Sequence, residues 1–400
     1  MSEQVSLTTK KQGHRSLLIL LFAGFVLTGV ATVINGPMLP LFIQRWSLND
    51  RQAGFFFTVQ FTAALGGVGL SSALSAWKGY RPALVLGYAF MGTGLAALNA
   101  GSYATALTAV ASFGCGYGLV VPGTNLLGAE AGGIRSASLL NLLNSAWGLG
   151  AVACSPLIWL ALKYDRLPVL LSGFAIFGGL MVLGLVLAPF GLEEHGESVN
   201  AAERGTMGVG LAFTIALAAL FFIYVATETS IGGWAAEHAK RLANGATSLT
   251  TLTPMFFYAG LMFGRALAAL VLSRLHESQV VLGALGLTAM GGAILIVSAT
   301  LRAAIAGVFL AGLGCASIYP IYIAWLSRWY GERAKRIGGV FFAFGALGGA
   351  VGPWLVGFVS KLSGILRVGL LVPLVCTMAM LCLVLLLRRA DKHSSEGPPL

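Results

Sequence analysis

One carboxylate stands apart in this sequence. Glu228 lies inside the apolar run Tyr224-Val225-Ala226-Thr227-Glu228-Thr229-Ser230-Ile231-Gly232-Gly233-Trp234 and is the acidic residue set deepest in any such run. A carboxyl group withdrawn from water can accept a hydrogen bond from a polar ligand or carry a proton, or it can brace its helix against a neighbour. Arg265, in the next apolar run, is the natural counter-charge. Counted inward from the expected helix ends, Glu228 is about seven residues deep and Arg265 about fifteen, an offset of roughly 12 Å at about 1.5 Å per residue. That is far for one arginine stem. Arg265 is therefore expected to hold backbone carbonyls or an anionic group, or to brace the helix, rather than to form a simple pair.

The second set is neutral. Asn141, Asn144 and Gly148 recur at helical spacing and share one face, with Trp147 beside them. Amides hydrogen-bond hydroxyls and an indole stacks on C–H faces, which is the chemistry of carbohydrate recognition. The alternative is interhelical glue, worth about 0.6 kcal/mol per bond. Asn35 precedes Pro37 and could line a helix break or satisfy carbonyls that the proline frees. Asn125 sits just after Pro122, and Gln60 is a weaker candidate. Tyr319, Tyr322 and Trp325 form an aromatic stripe, either a ligand platform or, for Trp325, an interfacial belt residue. Trp234 and Tyr258 read as interfacial anchors. Glu130 with Arg135, and Glu332 with Arg333, occupy corresponding turns as gate charges or as solvated loop charges. The substrate-contact set is thus Asn35, Asn125, Asn141, Asn144, Trp147, Glu228, Tyr319 and Tyr322, with Glu228 doubling as the proton carrier.

Motifs for enzymatic chemistry are missing. The sequence has no Walker loop, GxSxG or HExxH, and its histidines (His14, His195, His238, His276, His393) are expected in loops or tails. Cys115, Cys154, Cys315, Cys376 and Cys382 lie in apolar segments without CxxC spacing, which suggests neither a disulfide framework nor a metal site. We expect no enzyme activity, no cofactor and no metal. The net charge of +11 comes from scattered basic residues that build no patch, so nucleic acid is not an expected partner.

The elements that must position these groups follow from composition. The chain is 57% hydrophobic and 10% charged, against about a quarter charged in soluble domains. Its 54 glycines suit closely packed membrane helices. At about 20 apolar residues per crossing, about twelve spans are expected: 16–43, 51–77, 82–100, 103–128, 138–161, 168–190, 209–235, 250–273, 279–298, 302–326, 335–360 and 366–388. Lys10, Lys11, His14 and Arg15 precede an apolar run that reaches about Ile43, too long for a signal-peptide core, so it reads as an uncleaved first span. A hydrophilic stretch at 191–208, with Glu193, Glu194, Glu197 and Glu203, separates an N-terminal bundle, 1–190, from a C-terminal one, 209–400. With the N-terminus inside, inner loops and tails hold ~15 basic residues and outer loops ~9, which puts both termini in the cytoplasm.

The two halves repeat each other. Gly114, Gly116 and Pro122 match Gly312, Gly314 and Pro320 at one constant shift, which also carries Arg135 onto Arg333. Gly148 and Pro156 match Gly345 and Pro353 one residue out of step, and Val30-Ala31-Thr32 recurs as Val225-Ala226-Thr227. Two parallel six-helix repeats joined by a cytoplasmic linker resemble the major facilitator superfamily over nearly the whole chain. Within it, the sequence is most similar to the fucose–galactose–proton symporter group. The likeness rests on Asn35-Gly36-Pro37-Met38-Leu39-Pro40, on Arg135 with Leu140-Asn141-Leu142 and Gly150, and on Tyr224 through Trp234. That group carries an aspartate where Gly36 stands and a glutamate near Pro122 or Gly123, and its fifth-span glutamine and asparagine correspond to Asn144 and Trp147. Both family carboxylates are missing, which leaves Glu228. The superfamily's acidic loop signature after the second span is also reduced, to Gly79 with Lys78 and Arg81.

The resemblance implies an all-α membrane protein of twelve helices in two homologous bundles, with a solute site near the midplane and alternating access. The expected solute is a small polar molecule, a sugar or polyol, moved by secondary active or facilitative transport; with both family carboxylates missing, proton coupling does not follow from the resemblance and would fall to Glu228. The alternatives are an exporter of amphipathic compounds or drugs and a non-transporting membrane sensor. The lipid bilayer and the solute are the expected partners, the inner (plasma) membrane the location, and the monomer the working unit.

Overall fold

A computed structural model describes residues 2–99, 101–132, 136–188, 211–244, 248–331 and 333–393, and among them there are helices and no strands. In chain order the helices are α1 (Ser2–Val33), α2 (Asn35–Trp46), α3 (Asp50–Lys78), α4 (Tyr80–Ala97), α5 (Tyr103–Gly132), α6 (Ser136–Lys163), α7 (Leu167–Leu187), α8 (Leu211–Leu242), α9 (Thr253–Leu272), α10 (Glu277–Val297), α11 (Leu301–Tyr330), α12 (Arg333–Ser363), α13 (Leu366–Gly369) and α14 (Leu371–His393). Eleven are long and apolar enough to cross a membrane. The next is α4, 18 residues opened by Tyr80-Arg81-Pro82. The protein is therefore an integral, multi-pass membrane protein. The expected linker 191–208, Arg135 and Glu332 lie outside the described residues, as do the side chains of Glu130 and Arg333.

The first span, expected as one run over 16–43, is broken at Ile34 into α1 and α2. Pro37 and Pro40 lack the N–H groups that would bond the carbonyls of Val33 and Gly36, so the helix is weakest there.

The chain falls into two compact units: residues Met1–Ile34 with Thr62–Asn200, and Asn35–Phe61 with Ala201–Leu400. In the first, α1 packs on α6, and α4 packs on α5 and α7; in the second, α8 packs on α12, and α10 on α11 and α14. The same pairing order in both is the duplication seen as packing. It extends to single atoms. A Cβ added at Gly150 would lie 2.0 Å from the Val26 carbonyl oxygen and 3.1 Å from Val30 N. At Gly348 it would lie 2.0 Å from the Phe222 carbonyl oxygen and 3.1 Å from Ala226 N. Glycine is what lets these backbones touch. The crossing pairs Val30 with Ala226, so the Val-Ala-Thr match is one residue out of register, and Thr32 is the counterpart of Glu228.

Within the second unit, residues 35–61 are seated on α8 and α12. Thr58 Oγ1 donates to the Ala350 carbonyl at 2.8 Å. A Cβ at Gly36 would meet the Gly232 carbonyl oxygen at 3.0 Å, and one at Gly357 the Asp50 carbonyl oxygen at 2.2 Å. Charges finish the seat. Arg241 spans the Asp50 carboxylate at 3.0 and 2.5 Å and donates to Glu237 at 2.7 Å. Ser360 donates to Asp50 at 2.5 Å, and Lys240 to the Pro40 carbonyl at 3.2 Å. These bonds explain why α8 runs to Leu242, two turns past the expected end near 235. Its terminal charges are paired, so they do not end the helix. His238, expected in a loop, is buried inside α8 with Nε2 3.0 Å from the Leu295 carbonyl oxygen. Replacing Arg241 with alanine leaves the Asp50 and Glu237 carboxylates facing each other without their cation. A loss of about 2–4 kcal/mol is expected, read as a lowered midpoint of thermal unfolding in detergent; an unchanged midpoint would mean that water screens the cluster.

Candidate functional site

The site residues of the second unit gather around Tyr224, which is buried one helical turn before Glu228 on α8. Its hydroxyl donates to the Cys315 carbonyl of α11 at 3.1 Å. Glu228 is partly exposed and feels the charge of Arg265 on α9, which is also partly exposed. The expected mismatch in depth does not hold. Counted from Leu242 and Thr253, the consecutive ends of α8 and α9, the two residues differ by about 3 Å at about 1.5 Å per residue. The 12 Å offset came from ending the seventh span near 235 and starting the eighth near 250.

Aromatic rings floor this region. Tyr319, partly exposed, lies with its ring centroid 5.4 Å from that of Tyr224 and 5.4 Å, edge-on, from that of Phe221. Tyr322, expected to share the platform, is wholly buried; its hydroxyl points at Met380 Sδ, 3.8 Å away, and its ring packs against Trp325. Tyr322 is core. Trp325 is neither platform nor belt: it is buried and donates Nε1–H to Glu277 at 2.9 Å, while Arg328 holds the other Glu277 oxygen at 2.6 Å. Trp234, read as an interfacial anchor, is also buried, and its Nε1–H donates to the Pro353 carbonyl at 2.9 Å. Tyr258 is nearly buried, over Gly232.

In the first unit, α6 is exposed along one broad arc. Leu142 and Leu149, each 57% exposed, mark one edge of it. Asn141, Asn144 and Ser145 continue it around the helix. The Asn144 amide donates to the Leu140 carbonyl at 2.9 Å. Trp147 is half-buried and donates Nε1–H to Thr32 Oγ1 at 3.2 Å; Thr32 in turn donates to the Thr28 carbonyl at 2.7 Å. The indole is thus held rigid at the position that the repeat equates with Glu228. Asn125 is partly exposed on α5. Arg81 of the reduced loop signature lies in the first turn of α4 and donates to the Ala188 carbonyl.

Asn35 is placed differently from either expectation. It is completely buried in the second unit and donates to Gln60 Oε1 at 2.8 Å, and its own Oδ1 has no hydrogen-bond partner. It neither lines an open break nor binds the carbonyls freed by proline. Sequence reasoning ranked Gln60 as a weaker candidate and gave Tyr224 no role. The i, i+4 spacing of Tyr224 and Glu228 is the signal that could have found the latter.

Residues 217–400 match the sequence family described as Major Facilitator Superfamily. An uncharacterized MFS-type transporter of Yersinia pestis is 25% identical over 85% of this chain and 88% of its own length. The glucose/mannose transporter GlcP of Bacillus subtilis is 24% identical over 84% of this chain and 86% of its own. Among solved structures, the fucose:proton symporter FucP of E. coli superposes with a TM-score of 0.60 at 17% identity, covering 94% of this chain and 99% of that one.

Proposed function

For a chain of the Major Facilitator Superfamily built in this way, we propose a transporter of a small hydroxylated solute, a hexose or related sugar, working by alternating access in symport with protons. The observation that carries this reading is Glu228 itself: a partly exposed carboxyl group in the middle of an apolar spanning helix, with the cation of Arg265 on the neighbouring helix. An intramembrane carboxyl with such partners marks a substrate or proton path by default. Glu228 carries the proton and, with Arg265 and Tyr319, contacts the sugar. Asn141, Asn144, Trp147 and Asn125 are the amide and aromatic groups of the first unit suited to the same class of solute. Tyr322 and Asn35, both buried, are left out of the contact set in this state. Similarity to a glucose/mannose transporter supports the hexose class. The protein sits in the inner membrane as a monomer with both termini cytoplasmic, the linker 191–208 joining two bundles, 1–190 and 209–400, on the same side. Glu130 with Arg135, and Glu332 with Arg333, serve there as inner-side gate charges.

Counterflow in liposomes tests this reading. Purified protein preloaded with unlabelled D-glucose, D-mannose or L-fucose is expected to draw in the same labelled sugar, and an acid-outside gradient to drive its net accumulation. Binding without exchange would indicate a sensor. Exchange of amphipathic cations but of none of the three sugars would indicate the exporter. Sugar accumulation that ignores the pH gradient would remove the proton from the scheme.

A further inference from the structure

An indole carries a single hydrogen-bond donor, and the donor of Trp147 is taken up inside the first unit. Its Nε1–H goes to Thr32 Oγ1 at 3.2 Å, and the Thr32 hydroxyl gives its own hydrogen to the Thr28 carbonyl at 2.7 Å. With that hydrogen engaged, the Thr32 oxygen meets the indole as an acceptor. The backbone beneath the ring is held as closely. A Cβ added at Gly29 would run into the Trp147 carbonyl oxygen, and one at Gly150, three residues further along α6, into that of Val26. Helices α1 and α6 therefore touch through their backbones at the residue that bears the ring.

This mount is particular to the first unit. The crossing that pairs Gly150 with Gly348 also pairs Trp147 with Gly345, and Thr32 with Glu228. One copy of the repeat carries a ring and the hydroxyl that holds it. The other carries a carboxyl group and no ring.

From this geometry we propose that Thr32 is the positioning residue of Trp147 and, through it, a determinant of which solutes are accepted. By occupying the N–H it leaves the half-buried indole to meet a solute through its ring face alone. The inference rests on the reading of the solute as a sugar and of Trp147 as one of its contacts. A ring face recognises a flat patch of C–H groups. A pyranose chair presents one, because the axial C–H bonds on one side of the chair point the same way. An open-chain polyol carries the same kind of hydroxyls but no fixed patch, and it loses rotamer freedom to assemble one. The solute class is thus narrowed from sugars and polyols to closed-ring sugars. On the scale of aromatic packing contacts, the ring face is worth about 2- to 10-fold in affinity. The Thr32 bond keeps that face from turning aside. Asn144, one turn earlier on α6 and exposed, is the amide nearest along the helix for the hydroxyls at the edge of the sugar.

Calorimetric binding to the full-length protein in detergent tests the proposal, with D-glucose, D-mannose and L-fucose each set against the open-chain polyol made by reducing it. The native protein is expected to hold at least one of the sugars more tightly than its polyol. Thr32→Val keeps the shape of the side chain and removes the acceptor, so it should weaken that sugar about 2- to 10-fold and leave the polyol unchanged. Thr32→Ser restores the acceptor and should restore the preference. Ultraviolet resonance Raman spectra supply a signature that loss of packing alone would not move. Among the eight tryptophans, the indole N–H band of Trp147 is the one that Trp147→Phe removes. It should stand at its hydrogen-bonded position in the native protein, stay there when the sugar binds, and move to the free position in Thr32→Val. An unchanged preference in Thr32→Val, a polyol held as tightly as its sugar, or an N–H band displaced by the sugar would overturn the proposal and leave the sugar reading intact. Binding of none of the three sugars would overturn both. Should Thr32→Val fail to fold, the native N–H band with and without sugar decides the matter by the same criterion.

Discussion

Glu228→Gln is expected to abolish proton-driven accumulation of sugar while leaving downhill exchange measurable. Glutamine keeps the volume of the side chain and one oxygen that can accept a hydrogen bond, but it cannot gain or lose a proton. With one proton per sugar, a gradient of about two pH units supports about 100-fold accumulation, since each unit is worth about 1.36 kcal/mol. The variant should equilibrate near a ratio of about one, a loss of roughly 100-fold. Counterflow needs only the movement of loaded carrier and should fall less, by about tenfold, the worth of one hydrogen bond to a charged group. Arg265 loses its facing charge in this variant, so a part of that decrease reflects its reorientation. Accumulation at the native ratio would sink the assignment. Loss of counterflow and accumulation in equal measure would make Glu228 a binding group rather than a coupling one.

The second large effect concerns stability. Valine at Gly150 or Gly348 would place a Cβ 2.0 Å from a backbone oxygen of the crossing helix, Val26 or Phe222. No rotamer relieves a Cβ clash with backbone, so the two helices must part along their whole contact. Overpacking a core costs about 1–3 kcal/mol when side chains can yield, and here they cannot, so each variant should exceed that range and yield little folded protein by size exclusion in detergent. Alanine at Gly66 or Gly173, where nothing lies within 4 Å, is the matched control and should behave as the native chain does. Native yield and melting for both valine variants would mean that the crossings are looser than drawn.

How far the sequence could be read depended on what each signal measures. Hydropathy counts apolar length, and it located the membrane segments; the repeat came from the matched glycines and prolines. It treats every charge as an end, and so it cut α8 near 235, although Glu237 and Arg241 pair within the helix and Asp50 completes them from elsewhere. That error of two turns propagated into the depth of Glu228 and hid its coupling to Arg265. Spacing along one helix shows which residues share a face but not what the face meets. Tyr319 and Tyr322 look alike in the sequence, yet one is partly exposed and the other is core, because Met380 and Trp325 close over the second. Asn35 and Gln60 are 25 residues apart, and no local pattern joins them.

The placement of residues 35–61 has a consequence for how the chain is made. They are synthesised early, but the surfaces that receive them, on α8 and α12, belong to the later part of the chain. At about 5–20 residues per second, the ribosome takes on the order of 10–40 s after Phe61 to reach the end of α8. Through that interval the Asn35–Gln60 pair stands without the α8 and α12 surfaces that later receive it, and Asp50 waits for Arg241. The pair and the waiting acid act as an assembly intermediate's provisional cover, and a nascent chain arrested before α8 should present this segment to whatever insertion factor stands beside it.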